Sequence, residues 1–223
     1  MAAAALLPLT SLAAEIAPMT PYDATYALLR KGKQIGVGTR SLHDRGDGQF
    51  HLSNQSDLRW LIFTDQRTEK ADFQLKDGQI LSRQYSYQRT GTGPDEEYAM
   101  RFDGQQITSG KAGIEVEDEA FDPLSYQQQL ALDLAAGKRE MSYTIVKELK
   151  TKHYRFRVAG EERIKTPYGE LDTLRLERVR ENSRRQTIFW LAPELNYALV
   201  KLWQAKDGIE QMELQLSDFK QSR

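Results

Sequence analysis

The chain has 223 residues, 39% hydrophobic and 28% charged, a balance that suits one β domain whose strands each keep a polar face. With 31 basic against 32 acidic residues it lacks the positive excess of a nucleic-acid-binding protein. It contains no cysteine, which excludes disulfides, thiolate metal sites, a cysteine nucleophile and a cysteine-borne lipid anchor within this sequence.

Residues 1–14 are uncharged and apolar and end in Ala13-Ala14, the character of a secretory signal without its basic start, and too short to span a bilayer. The expectation is export to the periplasm as a soluble protein with no membrane span, leaving 15–223 as a single β-barrel-like domain. Strands are predicted over Tyr22 to Arg30, Ile35 to His43 and Phe50 to Leu58, the last alternating Phe50, Leu52 and Asn54 with His51, Ser53 and Gln55. Trp60, Leu61, Ile62 and Phe63 interrupt the alternation; they read as a corner of the core, with an exposed contact patch as the alternative. Asp77-Gly78 joins Thr68–Leu75 to Ile80–Arg89, and Asp103-Gly104 joins Glu97–Phe102 to Gln105–Ser109, each a hairpin signal because the turn needs positive φ at both central residues.

A helix is predicted over about 122–136: Asp122 is the N-cap, Pro123 the first helical residue, and Gly137 follows its end. Tyr126, Leu130 and Leu134, spaced four apart, make an apolar stripe that must pack on the sheet as a lid. A second meander follows in six strands, from Met141–Lys147 to Ile209–Ser217, with turns at Thr166–Gly169 and Asp207-Gly208 and a longer corner at Ala192–Asn196. About a dozen strands exceed what a flat sheet holds. The fold class is therefore mainly β: an antiparallel curved sheet closing into a barrel or half-barrel, with one helix packed on it.

Several segments in this order resemble a known family: Asp122-Pro123-Leu124-Ser125, then Thr166-Pro167-Tyr168-Gly169-Glu170-Leu171-Asp172-Thr173-Leu174, then Phe189-Trp190-Leu191-Ala192-Pro193-Glu194 and Leu199-Val200-Lys201-Leu202. They look like the domain-of-unknown-function family 3108 of Gram-negative envelope proteins, over roughly Pro21 to Ser217. The resemblance implies an exported antiparallel β protein and supplies no catalytic residues. At the level of curved sheet plus helix there is a looser likeness to periplasmic lipoprotein carriers.

Reactive groups are sparse. His43, His51 and His153 lack metal-ligand spacing, and no Gly-x-Ser-x-Gly elbow is present, so neither a metal, a cofactor nor a catalytic residue is expected. Residues 95–122 carry nine acids and two bases, and 147–185 twelve bases and seven acids, which reads as complementary polar faces of one sheet. Aromatic residues line one face, with Tyr85, Tyr87, Tyr98, Met100, Phe102, Tyr154 and Phe156 as candidate contacts for an apolar small molecule or lipid. The leading function is thus non-enzymatic binding of such a ligand. The alternatives are an interaction module that docks on an envelope protein and an enzyme acting on an envelope polymer.

Overall fold

The computed structural model describes residues 19–181 and 184–222, so the signal-like residues 1–14 lie outside the described part. Strands β1 (Tyr22–Arg30), β2 (Lys33–Asp44), β3 (Gln49–Trp60), β4 (Phe63–Lys76), β5 (Gln79–Gly91), β6 (Glu96–Asp103), β7 (Gln106–Ser109) and β8 (Ala112–Glu115) form one meander. Helix α1 (Tyr126–Ala135) follows, then β9 (Glu140–Lys147), β10 (Lys150–Thr166), β11 (Gly169–Val179), β12 (Arg185–Ala192), β13 (Ala198–Lys206) and β14 (Ile209–Gln221). Together they make one 14-stranded antiparallel sheet, ordered β8 to β1 and then β14 to β9. The first and last strands of the chain pair in its middle, which welds the two meanders together.

Turn chemistry sets the hairpins. Lys31-Gly32, Asp77-Gly78 and Asp207-Gly208 take positive φ at both residues, the geometry whose twist matches the flanking strands. The same turn expected at Asp103-Gly104 is corrected: Asp103 still belongs to β6, paired with Gln106, and the turn is Gly104-Gln105, with φ of 59° at Gly104. Glycine at the first central position selects the alternative hairpin turn and moves it by one residue. Bulges at Thr25/Tyr26, Asp72/Phe73, Val158/Gly160 and Gln204/Ala205 add twist. The sheet curls until the Tyr168 N–H, in the β10–β11 turn, donates to Leu216 O of β14 at 3.1 Å across the intervening β12 and β13.

The sheet stays open, a half-barrel with edges β8 and β9. Phe121 covers part of the β9 edge: its N–H donates to Thr144 O and its O accepts from Val146 N–H, each at 2.9 Å. The N-cap expected at Asp122 is corrected: Ser125 holds that position, and the helix starts at Tyr126, three residues after Pro123, following a turn over 123–125. The cause is local. Asp122 Oδ1 accepts from the N–H groups of Leu124 and Ser125, both at 2.8 Å, which holds the chain in a turn first.

A ten-residue helix is marginal by itself, so packing must hold it. Tyr126, Leu130 and Leu134 cluster with Met141, Ile145, Phe156, Leu176 and Leu191, each buried side chain contributing roughly 1.5–3 kcal/mol. The opposite face of α1 is polar yet also engaged. Gln129 Oε1 accepts from Ile80 N–H at 2.8 Å and Gln127 Oε1 from Arg40 Nη1 at 2.6 Å, so the helix sits inside the curve and touches both halves of the sheet.

The reading of residues 60–63 as a corner of the core is corrected. β3 and β4 remain paired up to Trp60 and Phe63, so the four residues form a hairpin tip with no layer to pack beneath; Leu61 is 85% and Ile62 82% exposed. Ion pairing within the acidic and basic stretches is uneven, with Glu96 the one acid of 95–122 in an ion pair among the described residues. Glu96 pairs with Arg89 in its own hairpin at 3.2 Å, and Arg157 with Glu177 and Arg163 with Asp172 across β10 and β11 at 3.0 and 3.2 Å.

Candidate functional site

Cross-strand register sorts the concave face into rungs that run across the strands. One rung, Tyr22, Leu42, Leu52, Ala71, Tyr85 and Met100 on β1 to β6, is apolar and buried. The next is Ala24, Arg40, Asn54, Glu69, Tyr87 and Tyr98, with charge at its centre. Beyond it come Tyr26, Gly38, Ser56, Arg67 and Arg89, and after those Leu28, Gly36 and Leu58.

In the trough formed by β1 to β4, β13 and β14 these rungs enclose a cavity of about 240 Å³. Leu28, Leu58, Leu199, Leu202, Met212 and Leu214 give it apolar walls, while Arg40, Asn54, Glu69 and Gln127 form one polar end. Tyr26 ties the two sides together, its hydroxyl donating to Leu199 O at 3.0 Å.

The polar end is unevenly satisfied. Arg40 is only 6% exposed; its Nη1 is engaged by Gln127, its Nε has no hydrogen-bond partner, and no carboxylate forms an ion pair with it among the described residues. Burial works against its charge, but the neighbouring phenols of Tyr22 and Tyr26 more than offset this and keep its pKa raised. Asn54 Oδ1 is likewise buried without a partner. Glu69 accepts from the Tyr85 hydroxyl at 2.6 Å, yet burial pushes its carboxyl above the usual range despite Tyr85, Lys147 and Arg40 nearby. Arg67, one rung away, is held by Asp65 through contacts of 2.9 and 2.7 Å.

Other polar clusters serve the fold. Asp122 Oδ2 accepts from the hydroxyls of Ser82 (2.8 Å) and Ser125 (2.6 Å), but Asp122 and Ser125 are 0% exposed, so this is a sealed structural turn ahead of the helix. His51 pairs with Asp72 at 2.7 Å, and among the described residues no three His, Asp or Glu side chains are grouped to hold a metal ion. A wider depression of about 510 Å³ beside Gly137 is open and charged, with Arg163 and Asp172 in its wall already paired to each other.

The aromatic candidates gather in two places, and none of them lines the 240 Å³ cavity. Tyr87 and Tyr98 pack as a tilted pair at 5.2 Å, and Tyr85 and Tyr98 lie at 6.0 Å; Tyr85, Tyr87, Met100 and Phe102 belong to the larger core cluster. Phe156 packs on Tyr126 at 5.9 Å, beside Tyr154, whose ring carries the Arg178 guanidinium at 3.2 Å. Trp60 lies under Arg30 at 4.5 Å, two residues beyond the wall residue Leu58. Sequence reading missed Arg40, Asn54, Glu69 and Gln127. A signal existed for Arg40: it is in phase on β2 with Gly38 and Leu42, both buried.

Among known proteins, the model of a family described as "Protein of unknown function (DUF3108)" matches residues 21–215. No curated protein matches the chain. A crystal structure of a candidate lipoprotein from Parabacteroides distasonis aligns with 13% identity and a TM-score of 0.36, covering 91% of this chain and 96% of that one. Among the described residues, no helix is long and apolar enough to cross a membrane.

Proposed function

We propose that this chain, which belongs to the DUF3108 family of proteins of unknown function, is a non-enzymatic periplasmic protein that holds the apolar part of a small amphiphile in its trough. The observation that carries the reading is the cavity of about 240 Å³ with leucine and methionine walls. At ~30 Å³ per water-sized volume it takes a chain of roughly eight carbons, smaller than the ~300–1,000 Å³ of sites for drug-sized ligands. The test is an NMR titration with decanol. Shifts confined to Leu28, Leu202, Met212 and their neighbours, abolished by Leu202→Trp, are expected; no perturbation of these residues would reject the reading.

A second reading, an interaction module docking through Trp60–Phe63, is favoured by Leu61. This residue combines 85% exposure with a φ of 57°, a conformation that costs a non-glycine side chain about 1 kcal/mol. Stability alone would place glycine there. Leu61→Gly should therefore stabilise the fold by roughly 1 kcal/mol while abolishing capture of an envelope partner. Unchanged capture would count against the tip.

A further inference from the structure

Buried charge in a protein is normally paired, and a buried donor is normally hydrogen-bonded. Where the central rung of the trough meets the cavity it departs from both rules: Arg40 Nε and its cross-strand neighbour Asn54 Oδ1 are buried without partners and both residues line the cavity, whereas the Tyr98 hydroxyl, also unpartnered on this rung, lies outside it. The other cations of the trough are not in this condition. Arg67 and Arg89 share Asp65, with contacts of 2.7 and 3.1 Å. Glu69, two strands from Arg40 on the same rung, is turned to the Tyr85 hydroxyl and makes no ion pair with the guanidinium.

Among the described residues, Arg40 is thus a cation without an ion pair at the polar end of an apolar cavity, with only the neutral Gln127 amide and Tyr22 phenol as its hydrogen-bonding neighbours. The apolar wall runs on from it as far as Leu28, which lies four residues along β1 from Ala24, the partner of Arg40, or about 13 Å at ~3.3 Å per residue. A ligand matching this layout has a compact negative group at one end and a hydrocarbon chain at the other. A single cation balances a single negative charge, which favours a carboxylate over a doubly charged phosphate. We propose that Arg40 and Asn54 bind the carboxylate of a single-chain fatty acid whose hydrocarbon occupies the trough. The guanidinium Nε–H donates to one carboxylate oxygen, and the Asn54 side-chain amide, turned to present its NH₂, donates to the ligand as well.

This inference rests on the amphiphile-binding reading and adds the class of head group to it. The test is calorimetric titration of the whole protein at pH 7.5 with decanoate and with decanol, which differ in head group and share a chain length. Decanoate should bind about tenfold or more tightly than decanol, as expected for a charge-assisted contact. Arg40→Met should erase that preference while keeping the affinity for decanol. If Arg40→Met loses both ligands, Arg40→Lys decides: it keeps the charge and must retain a preference for decanoate, and loss of that preference overturns the inference. Equal binding of the two ligands by the unmodified protein, or a preference that survives Arg40→Met, overturns the head-group assignment and leaves the apolar trough standing. Failure of both ligands to bind the unmodified protein overturns the trough reading and this inference with it.

Discussion

Arg40→Met should leave the ligand-free protein almost as stable as before, although it removes a side chain that is 94% buried by its 6% exposure. The guanidinium makes one well-formed contact in the cavity, Nη1 to Gln127 Oε1 at 2.6 Å, and losing a hydrogen bond to a charged group costs about 1.5–3 kcal/mol. Against this, methionine eliminates the buried, unpartnered Nε, a burden of about 1–3 kcal/mol, while the desolvation of the charge and its favourable interaction with the Tyr22 and Tyr26 phenols are lost together. Gln127 keeps one anchor, its Nε2 donating to Pro123 O at 3.2 Å. The two sides cancel to within ~1 kcal/mol, which at an m-value of ~2–3 kcal/mol/M shifts a urea midpoint by less than about 0.5 M. Urea unfolding followed by tryptophan fluorescence at pH 7.5 measures it. A loss of ~3 kcal/mol or more, the penalty for breaking a structural buried pair, would refute the reasoning, because it would mean that the fold itself uses the Arg40 charge.

Removal of the Asp122 carboxyl should hurt the fold far more. Asp122→Ala orphans the Leu124 and Ser125 N–H groups and should cost about 2–4 kcal/mol by the same assay, whereas Asp122→Asn, which keeps one acceptor, should cost about half of that; equal losses would deny the carboxylate its role in holding the turn. Glu69 supplies a pH signature. Its folded pKa is raised, chiefly by burial, so its contribution is fully present below the unfolded value of about 4.3 and is lost as pH rises through the folded value. Glu69→Gln cannot ionise, so its stability relative to the unmodified protein should improve as pH rises from 4 towards neutrality; a difference that stays constant over that range would contradict the shift.

The frame of the molecule was legible because its signals are local. Asp77-Gly78 and Asp207-Gly208 announce their turns, and the period-two alternation of Phe50, Leu52 and Asn54 marks a half-buried strand without reference to its neighbours. Where the backbone departs from residue preference the signal fails: the β9–β10 turn places Glu148 and Leu149 at φ of 52° and 55°, with neither glycine nor asparagine to betray it. The candidate site was hidden for a different reason. Arg40, Asn54 and Glu69 come together only through the register of β2, β3 and β4, and the wall residues Leu202, Met212 and Leu214 join them only because β14 pairs with β1. No short-range pattern encodes those pairings. The aromatic residues that do stand out in the sequence fill the two core clusters, where large rings bury the most area.

The central claim, that the trough is a ligand site, is tested most directly by mass spectrometry of organic extracts from protein purified under native conditions, with Leu202→Trp prepared in parallel. The account predicts a single-chain amphiphile near one mole per mole in the unmodified protein and its loss from the filled variant. An extract free of any amphiphile, together with a crystal structure in which side chains fill the space between Leu28, Leu202 and Met212, would contradict it.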